Sequence, residues 1–367
     1  MQHFDKTEEL SIYIHWPFCK SKCPYCDFFK NVNPNANQNA LINEYIGALQ
    51  KYYELTANKK VKSVFFGGGT PSLIKPQNVA KIIDFIAKKW TLTSKPEISL
   101  EANPNSRYNE MFANLKNAGI NRLSLGVQAL NEADLRFLGR THNIDQARLC
   151  LEEIVRVFDN HSADLIYARP QQKLDAWQTE LQEICHYGLK HISLYQLTIE
   201  DGTVFAAKNV QPLEEDAAVE MYNFTRLFLA DNGYKQYEVS NFAIKGYESR
   251  HNLTYWQGGE YIGIGASAHG RLRLNGQHIA TEYPFKHTIL TPQERAEELI
   301  IMGLRLVEGI SKQQFFEICG FTLTDFINKQ HLENLKEQKL LEETATHLRP
   351  TFAGMLVLNE LILLLCN

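Results

Sequence analysis

Cys19-Lys-Ser-Lys-Cys23-Pro-Tyr-Cys26 is the stretch on which the reading of this chain turns. Three cysteines share one short loop at the spacing C-x3-C-x2-C. Three such thiolates can hold three irons of a [4Fe–4S] cluster, and the fourth iron is left open to a substrate or cofactor. Zinc competes for thiols, but a structural zinc site uses four ligands, commonly from two paired C-x2-C or C/H units. The sequence has no second pair. His15 is close enough to be a fourth ligand, yet its strand phase reads more simply as a loop-supporting residue. Disulfides do not fit either, because seven cysteines is an odd number. Cys150, Cys185, Cys319 and Cys366 stand alone in apolar helical stretches and read as small buried hydrophobes.

Working outward, Ser11-Ile-Tyr-Ile-His-Trp-Pro17 alternates like a strand and stops at Pro17. The cysteines therefore follow the carboxyl end of a strand, the end that carries active sites in α/β barrels. Further strand-like runs are Val61–Phe66, Glu97–Glu101, Arg122–Gln128, Ala163–Tyr167 and His191–Leu197. Helical periodicity marks Leu41–Tyr53, Val79–Lys89, Glu110–Ala118, Ile144–Phe158 and Leu174–Tyr187 between them. Six βα units with right-handed crossovers make a partial barrel, open on one side. A helical stretch, Glu214–Ala230, comes next, with strand-like pieces near Gln236–Ser240 and Tyr261–Ile264. From Pro292 the pattern is helical, with one strand-like turn near His347–Arg349. The expected division is a barrel over residues 1–275, a linker over 276–291 and a small domain over 292–367.

Composition narrows the function classes. A hydrophobic content of 44% in 367 residues supports a sizeable core. A net charge of −4 gives no case for phosphate-directed nucleic-acid binding. The N-terminal Met-Gln-His-Phe-Asp-Lys-Thr-Glu-Glu is polar and acidic, unlike a signal peptide. The most apolar tract, Met355–Leu365, is far short of the roughly 20 residues that span a bilayer. Unpaired thiols point to a reducing cytoplasm.

Each strand end offers a polar group on the cysteine rim. Gly67-Gly68-Gly69-Thr70-Pro71 follows the second strand, where backbone can approach a ligand closely. It lacks the G-x4-G-K-[ST] pattern of a phosphate loop. Glu101 ends the third strand and suits an amine or ribose hydroxyls. Gln128 ends the fourth, and Arg140 follows it with a planar fork that matches a carboxylate. Asp164 interrupts an apolar run in the fifth, where an unpaired charge is costly.

On these segments the chain resembles the oxygen-independent coproporphyrinogen III oxidase-like group of radical S-adenosylmethionine (SAM) proteins. The matching stretches are Tyr13-Ile-His-Trp-Pro-Phe-Cys19, Lys22-Cys-Pro-Tyr-Cys-Asp-Phe28, Phe66-Gly-Gly-Gly-Thr-Pro71, Glu101-Ala-Asn-Pro104, Arg122-Leu-Ser-Leu-Gly-Val-Gln128, Leu138-Gly-Arg-Thr-His142 and His251-Asn-Leu-Thr-Tyr-Trp256. The resemblance implies an α/β fold: a partial (β/α)6 radical SAM barrel with a small helical, winged-helix-like C-terminal domain. It implies a [4Fe–4S] cluster on Cys19, Cys23 and Cys26. SAM would sit on the open iron, in a pocket of Tyr13, Tyr25, Gly68, Gly69, Thr70, Glu101, Gln128, Arg140 and Asp164.

Two features separate the group's heme-chaperone branch from its dehydrogenases. Dehydrogenases carry a further cysteine two positions after the third, which here is Phe28, and a longer N-terminal extension than the 18 residues before Cys19. The His251-Asn-x-x-Tyr-Trp256 segment is typical of the chaperone branch and is associated there with heme, with His251 as candidate axial ligand. The function implied is a cytoplasmic heme chaperone that delivers heme to respiratory-chain proteins at the membrane and draws on an electron donor protein. The alternative is a coproporphyrinogen III dehydrogenase of heme biosynthesis, acting through a 5′-deoxyadenosyl radical. The chain departs from the group in one loop: Asp-Leu-Ile-Tyr-Gly-Leu-Pro-Gly-Gln becomes Asp164-Leu-Ile-Tyr-Ala168-Arg169-Pro170-Gln171-Gln172. Loss of two glycines predicts a stiffer or differently shaped loop beside the pocket.

Overall fold

Leu10, Ile12, Ile14 and Trp16 are buried on one face of Glu9–Trp16 (β1), while Ser11 and His15 are buried on the other. A strand covered on both faces belongs inside a parallel sheet. The computed structural model describes residues 9–33, 36–104 and 108–366. The polar N-terminal stretch Met1–Glu8 lies outside them. The remaining barrel strands are Lys60–Gly68 (β2), Thr91–Ala102 (β3), Arg122–Gln128 (β4), Asn160–Tyr167 (β5) and His191–Gln196 (β6). They pair in parallel in chain order from β1 to β6. Helices Gln38–Thr56 (α1), Pro76–Lys89 (α2), Tyr108–Asn117 (α3), Ile144–Val157 (α4) and Leu174–His186 (α5) make the crossovers.

Beyond β6 come Glu215–Asp231 (α6) and the short antiparallel strands Lys235–Gln236 (β7) and Asn241–Ala243 (β8). Arg250–Trp256 (α7) leads into Glu260–Ile264 (β9), which returns to pair with β1 as a seventh parallel strand. His269–Leu274 (β10), Gln277–Glu282 (β11) and Lys286–Leu290 (β12) extend that edge as antiparallel hairpins. The expected linker at 276–291 is therefore sheet. Its tight turn, Asn275-Gly276, has positive φ at both residues, 50° and 80°, which matches the twist of a two-residue hairpin.

The C-terminal unit has an apolar core of its own, from Ala296 and Leu299 to Leu365. Pro292–Gly303 (α8) opens it with a capping box between Thr291 and Glu294. Ile310–Ser311 (β13), Leu341–Glu343 (β14) and His347–Pro350 (β15) form a three-stranded antiparallel wing with β15 in the centre. Backbone bonds from Val239 N–H to the Arg305 carbonyl and from Val307 N–H to the Tyr237 carbonyl stitch this unit to the barrel.

The unusual loop after β5 is a tight turn, closed by Gln172 N–H on the Arg169 carbonyl at 2.9 Å. Pro170 is its second residue and Gln171, at φ 61°, its third. That is a type II turn, whose third position favours glycine. Ala168 also has positive φ, 55°. The group's glycine conformations survive without the glycines. Gln171 is exposed, so Gln171→Gly removes strain with nothing lost in packing. It is expected to stabilise the protein by about 0.5–1 kcal/mol, read from the urea midpoint. Ala168→Gly is expected to change little, because loss of the buried methyl, about 0.8 kcal/mol, offsets the same relief.

Candidate functional site

Strand register builds the site. Trp16 lies opposite Gly68 across β1 and β2, so the cysteine loop and the glycine turn leave the sheet side by side. Gly69 N–H donates to the Trp16 carbonyl at 2.6 Å and Thr70 N–H to the Phe18 carbonyl at 2.9 Å. A Cβ on Gly69 would come within 2.7 Å of the Phe18 carbonyl oxygen, and one on Gly68 within 2.7 Å of the His15 ring. The glycines are thus required by the closeness of the cysteine loop, a purpose the sequence did not reveal. His15 supports that loop, its Nε2 on the Phe29 carbonyl and its Nδ1 on the Tyr13 hydroxyl, each at 3.0 Å.

Cys19 is buried, and Cys23 and Cys26 are half-buried. Burial pushes the Cys19 thiol up, opposed by the Thr70 hydroxyl, which donates to its Sγ at 3.4 Å, and by the charge of Lys30. Arg140 Nη1 reaches Cys23 Sγ at 3.5 Å. Cationic and hydroxyl donors aimed at sulfur suit thiolates that carry a cluster's negative charge. Among the described residues no three His, Cys, Asp or Glu converge on a single metal ion. Thiols that each take a different iron of a [4Fe–4S] cube have no need to converge, whereas zinc ligands do.

The three cysteines line a cavity of about 750 Å³ with Tyr25, Gly68, Gly69, Thr70, Glu101, Gln128, Arg140 and Asp164. Gln128 sits at a bulge in β4, at φ 74°, a strained setting of the sort found at ligand sites. Arg140 does not present a free fork. Its Nη1 also donates to the Tyr25 hydroxyl at 3.2 Å, and its Nη2 to Asn103 Oδ1 and to the Gly126 carbonyl. The side chain buttons the cysteine loop to β3 and β4.

The carboxyls are the ligand-facing groups. Burial raises Glu101 to about 8, with Asp164 adding to the rise and the Gly68 N–H opposing it. Burial also raises Asp164, against hydrogen bonds from Ser193 and Ser124 and the charges of Arg122 and Arg140. Carboxyls held back from ionising are restored to the charged form by an ammonium group or by donating hydroxyls. Because folding raises Glu101, its contribution to stability is whole below the ordinary value of 4.5 and is lost as pH rises through about 8. The ligand-free protein is expected to lose stability across that window. Glu101→Gln should flatten the dependence, as measured by denaturant unfolding at several pH values.

Two expected residues lie elsewhere. Tyr13 stacks on Phe65 and faces a second cavity, of about 500 Å³, on the other side of Gly68 and Glu101. It shares a strand face with His15, and both line that second cavity. His251 is 1% exposed. Its Nδ1 bonds to Ser63 Oγ at 2.8 Å and its Nε2 to the Tyr255 hydroxyl at 2.6 Å. Burial lowers it to about 3, so the ring is neutral. With both nitrogens engaged inside the protein, His251 does not present a ligand to iron. Asn103, Tyr195 and Gln196 line the first cavity and were not singled out. Asn103 lies in the Glu101-Ala-Asn-Pro104 segment and was within reach of sequence reading, whereas the Tyr195-Gln196 pair carried no signal.

Residues 13–184 match the family model of the Radical SAM superfamily, and residues 290–357 that of the HemN C-terminal domain. The chain is 38% identical over 384 residues to Radical S-adenosyl methionine domain-containing protein 1, mitochondrial, of Mus musculus, covering 97% of this chain and 87% of that protein. It is 34% identical over 371 residues to Heme chaperone HemW of Buchnera aphidicola, with 97% and 98% covered. Against Heme chaperone HemW of Escherichia coli it is 31% identical over 372 residues, again with 97% and 98% covered. Among solved structures, coproporphyrinogen III oxidase (HemN) from Escherichia coli, a radical SAM enzyme, superposes with a TM-score of 0.80 at 18% identity. That match covers 97% of this chain and 89% of the other, a likeness of fold. The cofactors of the radical SAM family are a [4Fe–4S] cluster and SAM, which the thiol and carboxyl cavity suits. The chain belongs to the radical SAM superfamily, within the oxygen-independent coproporphyrinogen III oxidase-like family that includes the proteins named heme chaperone HemW.

Proposed function

We propose that the protein is a heme chaperone of the cytoplasm, binding heme and passing it to respiratory-chain proteins at the membrane. The observation that carries this reading is identity of 31–34% along 97% of the chain with two proteins named heme chaperones. Phe28 adds support. It is 61% exposed and lines both cavities, placing an apolar ring where the group's dehydrogenases have a thiol. Among the described residues no helix is long and apolar enough to cross a membrane, so a visit to the membrane would be made through the recipient.

Cys19, Cys23 and Cys26 would hold the cluster, which supplies electrons for reductive cleavage of SAM when an electron donor protein reduces it. Thr70 and Arg140 hold the thiols in place, and Glu101 and Asp164 offer acceptors to SAM's amino and ribose groups. Arg140→Ala removes the shared partner of Tyr25, Asn103 and Cys23. Acting through those partners and not by touching SAM, the change is expected to weaken SAM binding roughly 10–100-fold, the usual effect of losing a group that orients cofactor ligands. Arg140→Lys should recover only part of this, since an ammonium lacks the fork. Calorimetry on the anaerobically reconstituted protein reads both.

The function is tested by side-by-side heme titration and assay of coproporphyrinogen III consumption with SAM and a reductant. Saturable heme binding without multiple-turnover formation of protoporphyrinogen IX is the expected result. Turnover would make the protein a dehydrogenase instead.

A further inference from the structure

We propose that heme occupies the second cavity, at the seam between the barrel and the C-terminal unit, with the imidazole of His269 on its iron. This rests on the heme-carrier reading above and gives it a site. The cavity holds about 500 Å³, within the range of about 300–1,000 Å³ usual for small-molecule pockets, which form preferentially at such seams.

Its walls suit a flat macrocycle. Tyr255 and Trp256, at the end of α7, line it with Tyr261 of β9. Tyr255 is fixed edge-on to Tyr261, with ring centroids 4.5 Å apart, and by its hydroxyl on His251. Phe28 and Phe29 form a lip that is 61% and 47% exposed. Neighbouring bare aromatic rings beside a cavity mark a surface that an apolar ligand covers.

The imidazoles of the cavity single out one iron ligand. Two histidines line the cavity, His15 and His269. Both nitrogens of His15 are taken, by Phe29 and Tyr13. His269, the first residue of β10, is exposed, and its ring has no hydrogen-bond partner among the described residues. Neutral imidazole is a good ligand for heme iron.

Charge agrees with a macrocycle bearing two propionates. Arg271 and Arg295 line the cavity and share one carboxylate, Glu298, at 2.6 and 2.7 Å. Two guanidiniums on one carboxylate leave a net positive charge in the wall; Arg271 Nη1 and Arg295 Nη2 already donate to the Gly270 and Gly258 carbonyls, so a propionate is drawn by the charge and not by a free fork. Trp256 Nε1 is a buried donor without a partner among the described residues.

His251 then acts through Tyr255 as a positioning residue. A hydrogen-bonded chain runs from Thr254 through Ser11, Ser63 and His251 to the Tyr255 hydroxyl. It locks the ring that faces the macrocycle, so His251 matters to the site without touching it.

Hemin titration of the full, cluster-loaded chain tests this. His269→Ala should shift the Soret band and weaken hemin binding on the order of tenfold or more, with iron–sulfur content unchanged because the residue is exposed. Free imidazole should return the band to its wild-type position, and His269→Cys should move it to that of a thiolate-ligated heme. His251→Ala should weaken binding while keeping the histidine-type band. Wild-type band and affinity in His269→Ala would overturn this site and leave the heme-carrier reading standing. Failure of the wild-type protein to bind hemin would overturn that reading, and the site with it.

Discussion

Arg169→Ala is expected to destabilise the protein by about 3–5 kcal/mol, the cost of leaving a buried carboxylate without its partner. Arg169 is 1% exposed and Glu180, on α5, only 4%. The guanidinium grips Glu180 with two nitrogens and donates from Nη1 to the Ile166 carbonyl at 3.0 Å. Its Nη2 also meets Asp134 at 3.1 Å. Glu180 in turn accepts from Leu130 N–H at 2.8 Å and from the Gln172 side chain. One residue therefore ties the loop after β5 to the segment after β4 and to α5, all on the cofactor rim. Removing the charge strands Glu180 in the interior. Arg169→Met with Glu180→Leu should recover most of the stability, because two apolar side chains of similar bulk need no partner. The Leu130 N–H and the Gln172 side-chain amide then lose the Glu180 acceptor, and the Ile166 carbonyl and Asp134 lose the guanidinium. Urea unfolding of the three proteins measures this. Equal stability of Arg169→Ala and wild type would mean that the pair contributes no more than an exposed one. The loop that departs from its group is stiffened from beneath: its glycine turn geometry is kept, and a buried ion pair holds it.

The barrel was legible because its signals are local. Alternation followed by Pro17, the glycine triplet, Glu101, Gln128 and Asp164 each mark where a strand stops, and parallel register then aligns those stops on one rim. The polar beginning of β3, Thr91-Leu-Thr-Ser-Lys95, carried no such signal and was missed. The hairpins beyond residue 269 had one that went unused, Asn275-Gly276 between alternating runs. What the sequence hid depends on distant partners. His251 is claimed by Ser63, 188 positions away, and nothing near the motif foretells it. Tyr13 shares a motif with the cysteines but sits in phase with His15, on the face that leads to the other cavity. The use of Arg140 as a clasp is equally non-local, since Tyr25, Asn103 and Gly126 come from three separate segments.

Replacing Cys19, Cys23 and Cys26 together by serine is expected to abolish iron binding while leaving the barrel folded. Reconstituted wild-type protein should hold about four irons per chain and lose them in air, since three thiolates leave one iron without a protein ligand. Serine hydroxyls are poor ligands at neutral pH and cannot replace the thiolates. The fold is expected to survive because the thiols lie in a loop, and β1 is anchored by its neighbours β2 and β9 rather than by the cluster. The far-ultraviolet circular dichroism of the variant should match wild type. SAM binding should fall below detection, since the carboxyl cavity alone offers no open iron, and the Arg140 fork, though released from Cys23, is still held by Tyr25, Asn103 and Gly126. Hemin binding should persist, because the second cavity draws no wall from the three cysteines. A protein that holds zinc in place of iron, stable in air and bound through the same thiols, would refute the cluster assignment. Loss of hemin binding in a folded, cluster-free variant would show that the two cavities act as one site.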